Sequence, residues 1–453
     1  MPRVTSHSSQ ALRGHKHLRM LFFLYCILLL TEGALRKWFL PSLATPLLLI
    51  RDPVALLAIV VAMKEGIGIL NKYTIVFICF ALLALVTTMT LGHQNLVVAF
   101  YGCRAYLLHL LALFAFASAL TRKDLHLILK IVLALALPLM LLNILQLYTP
   151  QSAWINRGVA GDLSGSGFGG IGDYSRVAGI FSFTTGNVSF FMIAATSVLI
   201  AWFNPIRDNK LLRICASAAV LLGLGVLISR TYVFMFIVLV VSALLPMSLN
   251  IRTAVKGAIT IIGLVLIGYV VLQFEEANFT YDLMAERFEA ATNAEGDFVS
   301  GSIGERAFGN FYRAINVSRP RPSYGFGLGY TSNVGSRILF GNVLFHGAED
   351  EWGKTFDEFG LTLGIPIILT RIWLIISLLY YSISIFFKEG RTDSWLLTIC
   401  AIFYLLQGDT QQATNLGFFV VIVVLAIVSL KPVKSHVEGQ TSPNIDYGYS
   451  AFK

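Results

Sequence analysis

Apolar runs separated by short polar segments repeat along most of the chain. A helix of about 20 apolar residues is long enough to cross the hydrocarbon core of a bilayer, and twelve such runs can be placed in the sequence. They lie near residues 20–34, 44–63, 73–91, 96–120, 125–148, 179–203, 211–228, 231–248, 254–273, 360–387, 394–411 and 415–430. The pattern predicts an all-α polytopic membrane protein with about twelve transmembrane helices.

Two polar segments are longer than the other connections. The first, 149–178, is rich in glycine and serine, and the second, 274–359, resembles a small soluble domain. Within the second segment, 282–291 and 303–317 have apolar residues at helical spacing, and PRPSYGFGLGYTSN predicts an ordered loop. The expected division of the chain is an N-terminal segment 1–19, spans one to nine 20–273, a large polar segment 274–359, spans ten to twelve 360–431 and a tail 432–453.

The basic residues predict the orientation of the chain. They concentrate before the first span and in alternate short connections, which face the cytoplasm by the positive-inside rule. They are Arg13, Lys16, Arg19, Lys64, Lys72, Arg122, Lys123, Arg207, Lys210, Arg213, Arg252, Lys256, Lys388, Arg391, Lys431 and Lys434. We therefore expect both termini in the cytoplasm and the two long polar segments on the periplasmic side of an inner membrane. The first span lacks a convincing cleavage site, so we interpret it as an anchor.

Charge, cysteine content and short motifs argue against nucleic-acid, metal and nucleotide binding. The chain is 13% charged, against roughly 25% in soluble domains, and its net charge of +9 reflects topology, so nucleic-acid binding is not indicated. The five cysteines lie in apolar runs without a CxxC pair, and no HExxH, DxD or His/Cys cluster suggests a metal. Gly165, Gly167 and Gly170 fit GxGxxG, but no strand–helix unit flanks them. We expect neither a metal nor a cofactor.

Arg230 has an unusual position for an arginine. Two apolar runs meet there, separated by Ser229, Arg230 and Thr231, which predicts a transmembrane hairpin with a fixed cation at its tip. Intramembrane arginines are costly and are functional-site candidates by default. A guanidinium suits phosphate or carboxylate oxygens. The alternative is a tip residue that snorkels to the membrane interface.

Further arginines lie at comparable depth: Arg51, Arg104, Arg176 and Arg371. Acidic residues at that depth are few, chiefly Asp52 and Asp409. Because unpaired buried cations are unfavourable, the surplus predicts an anionic ligand at the outer leaflet. Individually, Arg51, Arg104 and Arg371 have an alternative, which is pairing with a carboxylate or carbonyl elsewhere in the chain.

Acidic residues cluster where the tenth span begins: Glu349, Asp350, Glu351, Asp357 and Glu358. Glu351 and Glu358 are seven residues apart, which places them on one helical face. A carboxylate near a cationic pocket can act as a general base toward a sugar hydroxyl. The alternative is a solvated helix start whose acids favour the N-terminal dipole. His346 lies nearby in sequence, although a lone histidine is more often structural than catalytic.

Four segments in order resemble the bacterial O-antigen ligase and polymerase family of polytopic glycosyltransferases. They are RVAGIFSFTTGN (176–187), SRT (229–231), GERAFGNFYRAINVSRPRPSYGFGLG (304–329) and EDEWGKTFDEFGLTLGI (349–365). The N-terminal EGALRKWFLP…RDP is similar to an exopolysaccharide-type subgroup. The resemblance implies a GT-C-like fold and an undecaprenyl-diphosphate-linked donor at the periplasmic face. It implies that arginines in these segments, Arg176, Arg230 and Arg306, contact the donor.

The fourth segment departs from the family pattern HNxxLxxxxExG. Glu349 and Asp350 replace the histidine and asparagine, Gly353 replaces the leucine, and Glu358 and Gly360 match. Loss of the histidine favours a polymerase over a ligase, with His346 as a candidate substitute. The candidate catalytic residues are therefore Glu349, Asp350, Glu358 and His346, and the candidate substrate-binding residues are Arg176, Arg230, Arg306, Arg51 and Arg104.

We expect an enzyme that joins lipid-linked repeat units of an exopolysaccharide or O-antigen, working with a chain-length regulator and a flippase. One alternative is a ligase that transfers glycan to lipid A core or another acceptor. A second is a polysaccharide transporter or flippase, since an anion site and twelve spans also suit transport. Transporters usually contain inverted repeats, and none is visible in this sequence.

The predicted topology is testable with reporter fusions. Fusions at Lys72, Arg122, Arg252 and Lys388 should report cytoplasm, and fusions within 280–345 should report periplasm, because the basic connections are retained inside. A periplasmic signal at Arg252 would overturn the assignment and the outward placement of Arg230.

Overall fold

The computed structural model describes residues 4–203, 210–249, 251–295, 314–315, 321–341 and 350–432. Within these ranges the fold is all-helical, and the one β-bridge joins Ile171 to Tyr174. Three candidate site residues, Arg306, His346 and Glu349, lie outside the described residues, as do most of 303–317 and the tail after residue 432.

Sixteen α-helices lie in the described part of the chain. In chain order they are α1 (Val4–Ala34), α2 (Ala44–Leu47), α3 (Asp52–Lys64), α4 (Lys72–Thr90), α5 (Leu96–Cys103), α6 (Leu110–Ala119), α7 (Arg122–Leu147), α8 (Thr184–Phe203), α9 (Lys210–Val226), α10 (Arg230–Leu249), α11 (Ile251–Val271), α12 (Glu275–Glu295), α13 (Asn333–Phe340), α14 (Glu351–Glu389), α15 (Thr392–Gln407) and α16 (Ala413–Ser429). Two π-helical segments, Leu35–Phe39 and Arg104–His109, continue α1 and join α5 to α6.

Eight helical segments in the described part of the chain are long and apolar enough to cross a membrane. They coincide with predicted spans one to six, nine and ten. Predicted spans seven, eight, eleven and twelve coincide with α9, α10, α15 and α16, which are 16 to 20 residues long. A helical, multi-pass membrane protein is thus confirmed, and the number of twelve crossings stays a prediction.

Four of the segments rich in basic residues, those at Arg19, Arg122, Arg391 and Lys431, meet at one end of the bundle. Arg19 pairs with Asp124 at 2.5 Å, which brings the first part of α1 to the start of α7. Arg122 pairs with Asp393 at 2.5 Å, and Lys431 donates to the Leu120 carbonyl at 2.7 Å. These contacts give the spatial grouping that the alternation of basic residues predicts. The side of the membrane that this basic end faces stays a prediction.

The opposite end, called the outer end below, carries the two long polar segments. Tyr281 of α12 donates its hydroxyl to the Leu221 carbonyl at 2.8 Å, near the end of α9. Arg287 of α12 donates to the Gly170 carbonyl at 2.9 Å. The predicted helical stretch 282–291 therefore lies within α12, which connects the α9 end of the bundle with the 149–178 segment.

Helices α8 and α16 form the centre of the bundle. Nearly every residue of α8, and all but one of α16, is buried, as expected for helices that are apolar on all faces. Phe181, just before α8, packs edge-on against Phe418 of α16 with ring centroids 5.5 Å apart. The central helices therefore bring the turn before α8 and the connection before α16 together at the outer end.

Candidate active site at the outer end of the bundle

Asp350 caps the N-terminus of α14. Asp350 is the N-cap residue, and its side chain accepts a hydrogen bond from the Gly353 amide at 2.8 Å. Burial raises the pKa of this carboxyl above its usual value. The geometry thus favours the helix-start interpretation of Asp350, because the cap satisfies an amide that has no partner within the helix.

The other described acids of this segment, Glu351, Asp357 and Glu358, are buried, so the alternative of a solvated helix start does not hold for them. Glu351 pairs with Arg371 at 2.6 Å and accepts from the Thr410 hydroxyl at 3.0 Å. Asp357 accepts from Arg321 Nε at 2.8 Å. Glu351 and Asp357 are therefore each neutralised by an arginine.

Glu358 has a different environment. Its exposure is 1%, and its carboxylate oxygens accept hydrogen bonds from neutral groups. The Thr331 hydroxyl donates to Oε1 at 2.7 Å, and Gln411 Nε2 donates to Oε2 at 2.8 Å. The nearby Lys354 pairs with Asp409 at 2.6 Å instead. Across the residues that the structure describes, Glu358 forms no salt bridge.

A glycine-rich loop, 321–332, covers Glu358. The Phe326 amide donates to the Asp357 carbonyl at 2.7 Å, and the Gly327 amide donates to the Glu358 carbonyl at 3.2 Å. The helix breaks here at Gly360, where φ is +67°. A Cβ on Gly360 would lie 2.0 Å from the Ser323 carbonyl oxygen, so glycine is needed for this close backbone approach. The expected ordered loop is thus confirmed.

The other side of this loop rests on the outer ends of α4 and α5. The Leu328 amide donates to the Thr88 hydroxyl at 2.9 Å, and the Leu328 carbonyl lies 2.9 Å from His93 Nε2. Gly329 lies so close to α5 that a Cβ would meet the Val98 carbonyl oxygen at 2.2 Å. The loop therefore connects the fourth predicted span with the start of α14.

The polar connection 408–413, between α15 and α16, contacts each part of the site. Besides Gln411 on Glu358, the Thr410 amide donates to Glu351 at 3.1 Å. Gln412 accepts from the Thr185 hydroxyl of α8 at 3.2 Å. Sequence reasoning singled out only Asp409 here. The run QGDTQQ between two apolar helices at the outer end was the signal that could have identified the connection.

Arg51 and Arg104 are neutralised within the protein. Arg51 is fully buried, donates from Nε to Glu32 at 3.1 Å and also contacts the Ala413 carbonyl. Arg104 binds both oxygens of Asp52, at 2.9 and 3.0 Å. The assumption that acids at this depth are few was wrong, because it omitted Glu32. The structure therefore removes the reason for assigning Arg51 and Arg104 to an anion site, and Arg371 is likewise paired.

A buried hydrogen-bonded chain joins these two arginine sites. The Tyr25 hydroxyl lies 2.9 Å from His109 Nδ1, and His109 Nε2 lies 2.9 Å from Asp52. The Tyr25 hydroxyl also accepts from Arg51 at 3.4 Å. Arg104 and His109 begin and end one π-helical segment, a local irregularity that is frequent at functional sites.

Arg176 is half-buried in a turn that side chains hold in place. Gln146 accepts from the Gly179 amide at 2.8 Å and donates to the carbonyl of the same residue at 3.1 Å. Asn187 donates to the Val177 carbonyl at 3.1 Å, and Lys37 donates to the Gly179 carbonyl at 2.7 Å. The backbone that follows Arg176 is therefore fixed from α7, α8 and the π-helical segment Leu35–Phe39 that continues α1.

Arg230 is the first residue of α10 and is half-buried, and a short turn joins α9 to α10 where the sequence predicts it; the transmembrane hairpin stays a prediction. The turn is tight, with Ile228 at φ +43°, and Ser229 Oγ accepts from the Tyr232 amide at 3.4 Å.

An apolar groove of about 580 Å³ lies between α7, α9, α11 and α12. It follows α9 from Ile214 to Val226, a rise of about 18 Å for an α-helix.

The chain matches no protein-family model and no curated protein.

The pairing of Arg104 predicts a stability effect at Asp52. Asp52→Ala leaves Arg104 and His109 without their shared carboxylate. Removing one partner of a buried ion pair costs on the order of 3 kcal/mol, so we expect a clear fall in the midpoint of thermal or denaturant unfolding of the purified protein. Asp173→Ala, in an exposed turn, is the control and should leave unfolding unchanged. Wild-type stability of Asp52→Ala would mean that Arg104 is not held by this pair.

Proposed function

We propose that the protein is an inner-membrane glycosyltransferase that polymerises undecaprenyl-diphosphate-linked oligosaccharide repeat units at the periplasmic face. The observation that carries this proposal is Glu358, a carboxylate held by Thr331 and Gln411 without a salt bridge in the described part of the chain. A carboxylate that no arginine or lysine neutralises is suited to accept a proton from a substrate hydroxyl. Asp350 and Glu351 are less suited, because one caps a helix and the other pairs with Arg371.

The proposed step needs one proton acceptor and one stabilised leaving group. The acceptor sugar hydroxyl gives its proton to Glu358 while its oxygen bonds to the anomeric carbon of the donor. The bond from that carbon to the diphosphate oxygen breaks, and the diphosphate leaves with the electron pair. Fixed cations near the leaving oxygens lower the barrier, because their charge is already in place when the negative charge develops.

Arg176 and Arg230 are the described arginines that we assign to the diphosphate. Both are half-buried at the outer end. Arg176 comes just before an ordered turn, and Arg230 comes just after one. Their backbones are fixed, which supports a preorganised site. The guanidinium fork matches phosphate oxygens in a way that lysine does not. Arg306 keeps the role that the resemblance implies for it.

The apolar groove supports a lipid-linked donor. Its lining is almost entirely apolar, and Val226 at its outer end lies four residues before Arg230. Four residues span at most about 14 Å, so an apolar chain in the groove would have its head group near Arg230. The charge asymmetry of the bundle supports the assignment of the outer end to the periplasm, since the basic end is expected to remain in the cytoplasm.

Glu358→Gln tests the proposal in cells. If Glu358 accepts the proton, the amide should abolish transfer while single repeat units accumulate on the lipid carrier or on their usual acceptor. Glycan profiles at matched protein levels are the measurement. Asp350→Asn, which can still cap the helix, is the control and should keep normal polymer. Arg176→Lys and Arg230→Lys should reduce polymer, since one lost transition-state donor costs about 10²–10³ in rate.

Three outcomes oppose the proposal. Normal polymer in Glu358→Gln would remove Glu358 as the base. Long polymer stranded on the lipid carrier would favour a ligase. Single units trapped on the cytoplasmic side would favour a flippase.

A further inference from the structure

The two oxygens of Glu358 have different partners. Gln411 donates to Oε2 at 2.8 Å, whereas the Thr331 hydroxyl donates to Oε1 at 2.7 Å and the Thr331 amide lies 3.3 Å from the same oxygen. A substrate hydroxyl that gives its proton to a base must reach a similar distance of about 2.6–3.2 Å. Among the described residues, Thr331 is the one that presents a hydroxyl to Glu358.

We propose that the Thr331 hydroxyl occupies the place of the acceptor sugar hydroxyl, and that acceptor binding displaces it from Glu358. This inference rests on the proposed function, because it assigns the acceptor subsite of the same reaction. It also accounts for the burial of Glu358: the structure shows the site closed by its own loop. The ligand class is the hydroxyl of a glycan's terminal sugar.

The loop is held firmly on both sides of Thr331. Before it, Leu328 is bound by Thr88 and lies against His93. After it, the Ser332 hydroxyl accepts from the Gly335 amide at 2.9 Å and so caps α13. Gly329 packs closely against α5, so Tyr330 and Thr331 are the two residues between these anchors. A local shift of this turn therefore frees Oε1 without unfolding the loop.

The surroundings of Gln411 favour keeping its hydrogen bond to Glu358 when the Thr331 hydroxyl is displaced. Its neighbours in the 408–413 connection are fixed, Thr410 by Glu351 and Gln412 by Thr185. The Tyr106 phenol also interacts with the Gln411 side chain. With Oε2 held in this way, the free Oε1 is directed toward the acceptor. Gln411 is thus a positioning residue for the proposed base.

The test compares kcat and the acceptor KM of purified variants, with lipid-linked repeat units as donor and acceptor. Thr331→Val removes the competing hydroxyl and should lower the acceptor KM about two- to tenfold, the equivalent of one lost competing hydrogen bond. Thr331→Ala should act in the same direction, and Thr331→Ser, which restores a hydroxyl, should raise KM again. Gln411→Leu should lower kcat with little change in KM.

Thr362→Val is the matched control, since its hydroxyl contacts the Ser323 carbonyl of the same loop and not Glu358. It should leave both constants unchanged. An unchanged or raised KM in folded Thr331→Val and Thr331→Ala would overturn the inference. Glu358→Gln in the same assay separates the two proposals: if it is inactive, only the subsite assignment has failed, and if it is active, the proposed base has failed as well.

Discussion

Ionised side chains inside an apolar helical bundle are stable only when a partner compensates for the lost hydration. This constraint determines how the outer end of the protein is built. Arg51 meets Glu32, Arg104 meets Asp52, and Arg371 meets Glu351. The first two pairs join different helical segments, and the third joins the two parts of α14 on either side of its break at Gly360, so the cost of burying charge also fixes how these segments are arranged. Glu358 stands apart within the described residues, because its partners are a hydroxyl and an amide.

The 408–413 connection is the structural basis of that difference. Its Thr410 donates to Glu351, its Gln411 donates to Glu358, and its Gln412 accepts a hydrogen bond from α8. Arg51 donates to the carbonyl of Ala413. One short segment therefore positions the proposed base relative to both central helices. The glycine-rich loop closes the site from the other side, and its glycines allow a backbone approach that side chains would prevent. Together these two segments bury Glu358.

The sequence predicted what depends on local pattern. Apolar period and length located the helices, basic residues predicted that the segments at Arg19, Arg122 and Lys431 share one end of the bundle, and the three polar residues 229–231 predicted the turn between α9 and α10. The partners of the arginines could not be predicted in the same way. Glu32 lies 19 residues from Arg51 in sequence, in a different span, and only the packing of α1 against α3 brings them together.

The acidic cluster illustrates the same limit. Spacing placed Glu351 and Glu358 on one helical face, yet their environments differ, because Arg371 lies beside one and Gln411 beside the other. Local pattern also could not distinguish a capping role for Asp350 from a catalytic one. The distinction came from the 2.8 Å contact with the Gly353 amide. Sites made by distant segments thus depend on tertiary contacts that residue spacing does not encode.

The most direct test of this account is reconstitution of the purified protein in liposomes with lipid-linked repeat units as the sole substrate. We expect products longer than one repeat unit to form on the lipid carrier, without another protein, on the side of the membrane where the 321–332 loop lies. Vesicles in which repeat units cross the bilayer unjoined, or in which no longer product forms although the protein is folded, would contradict it.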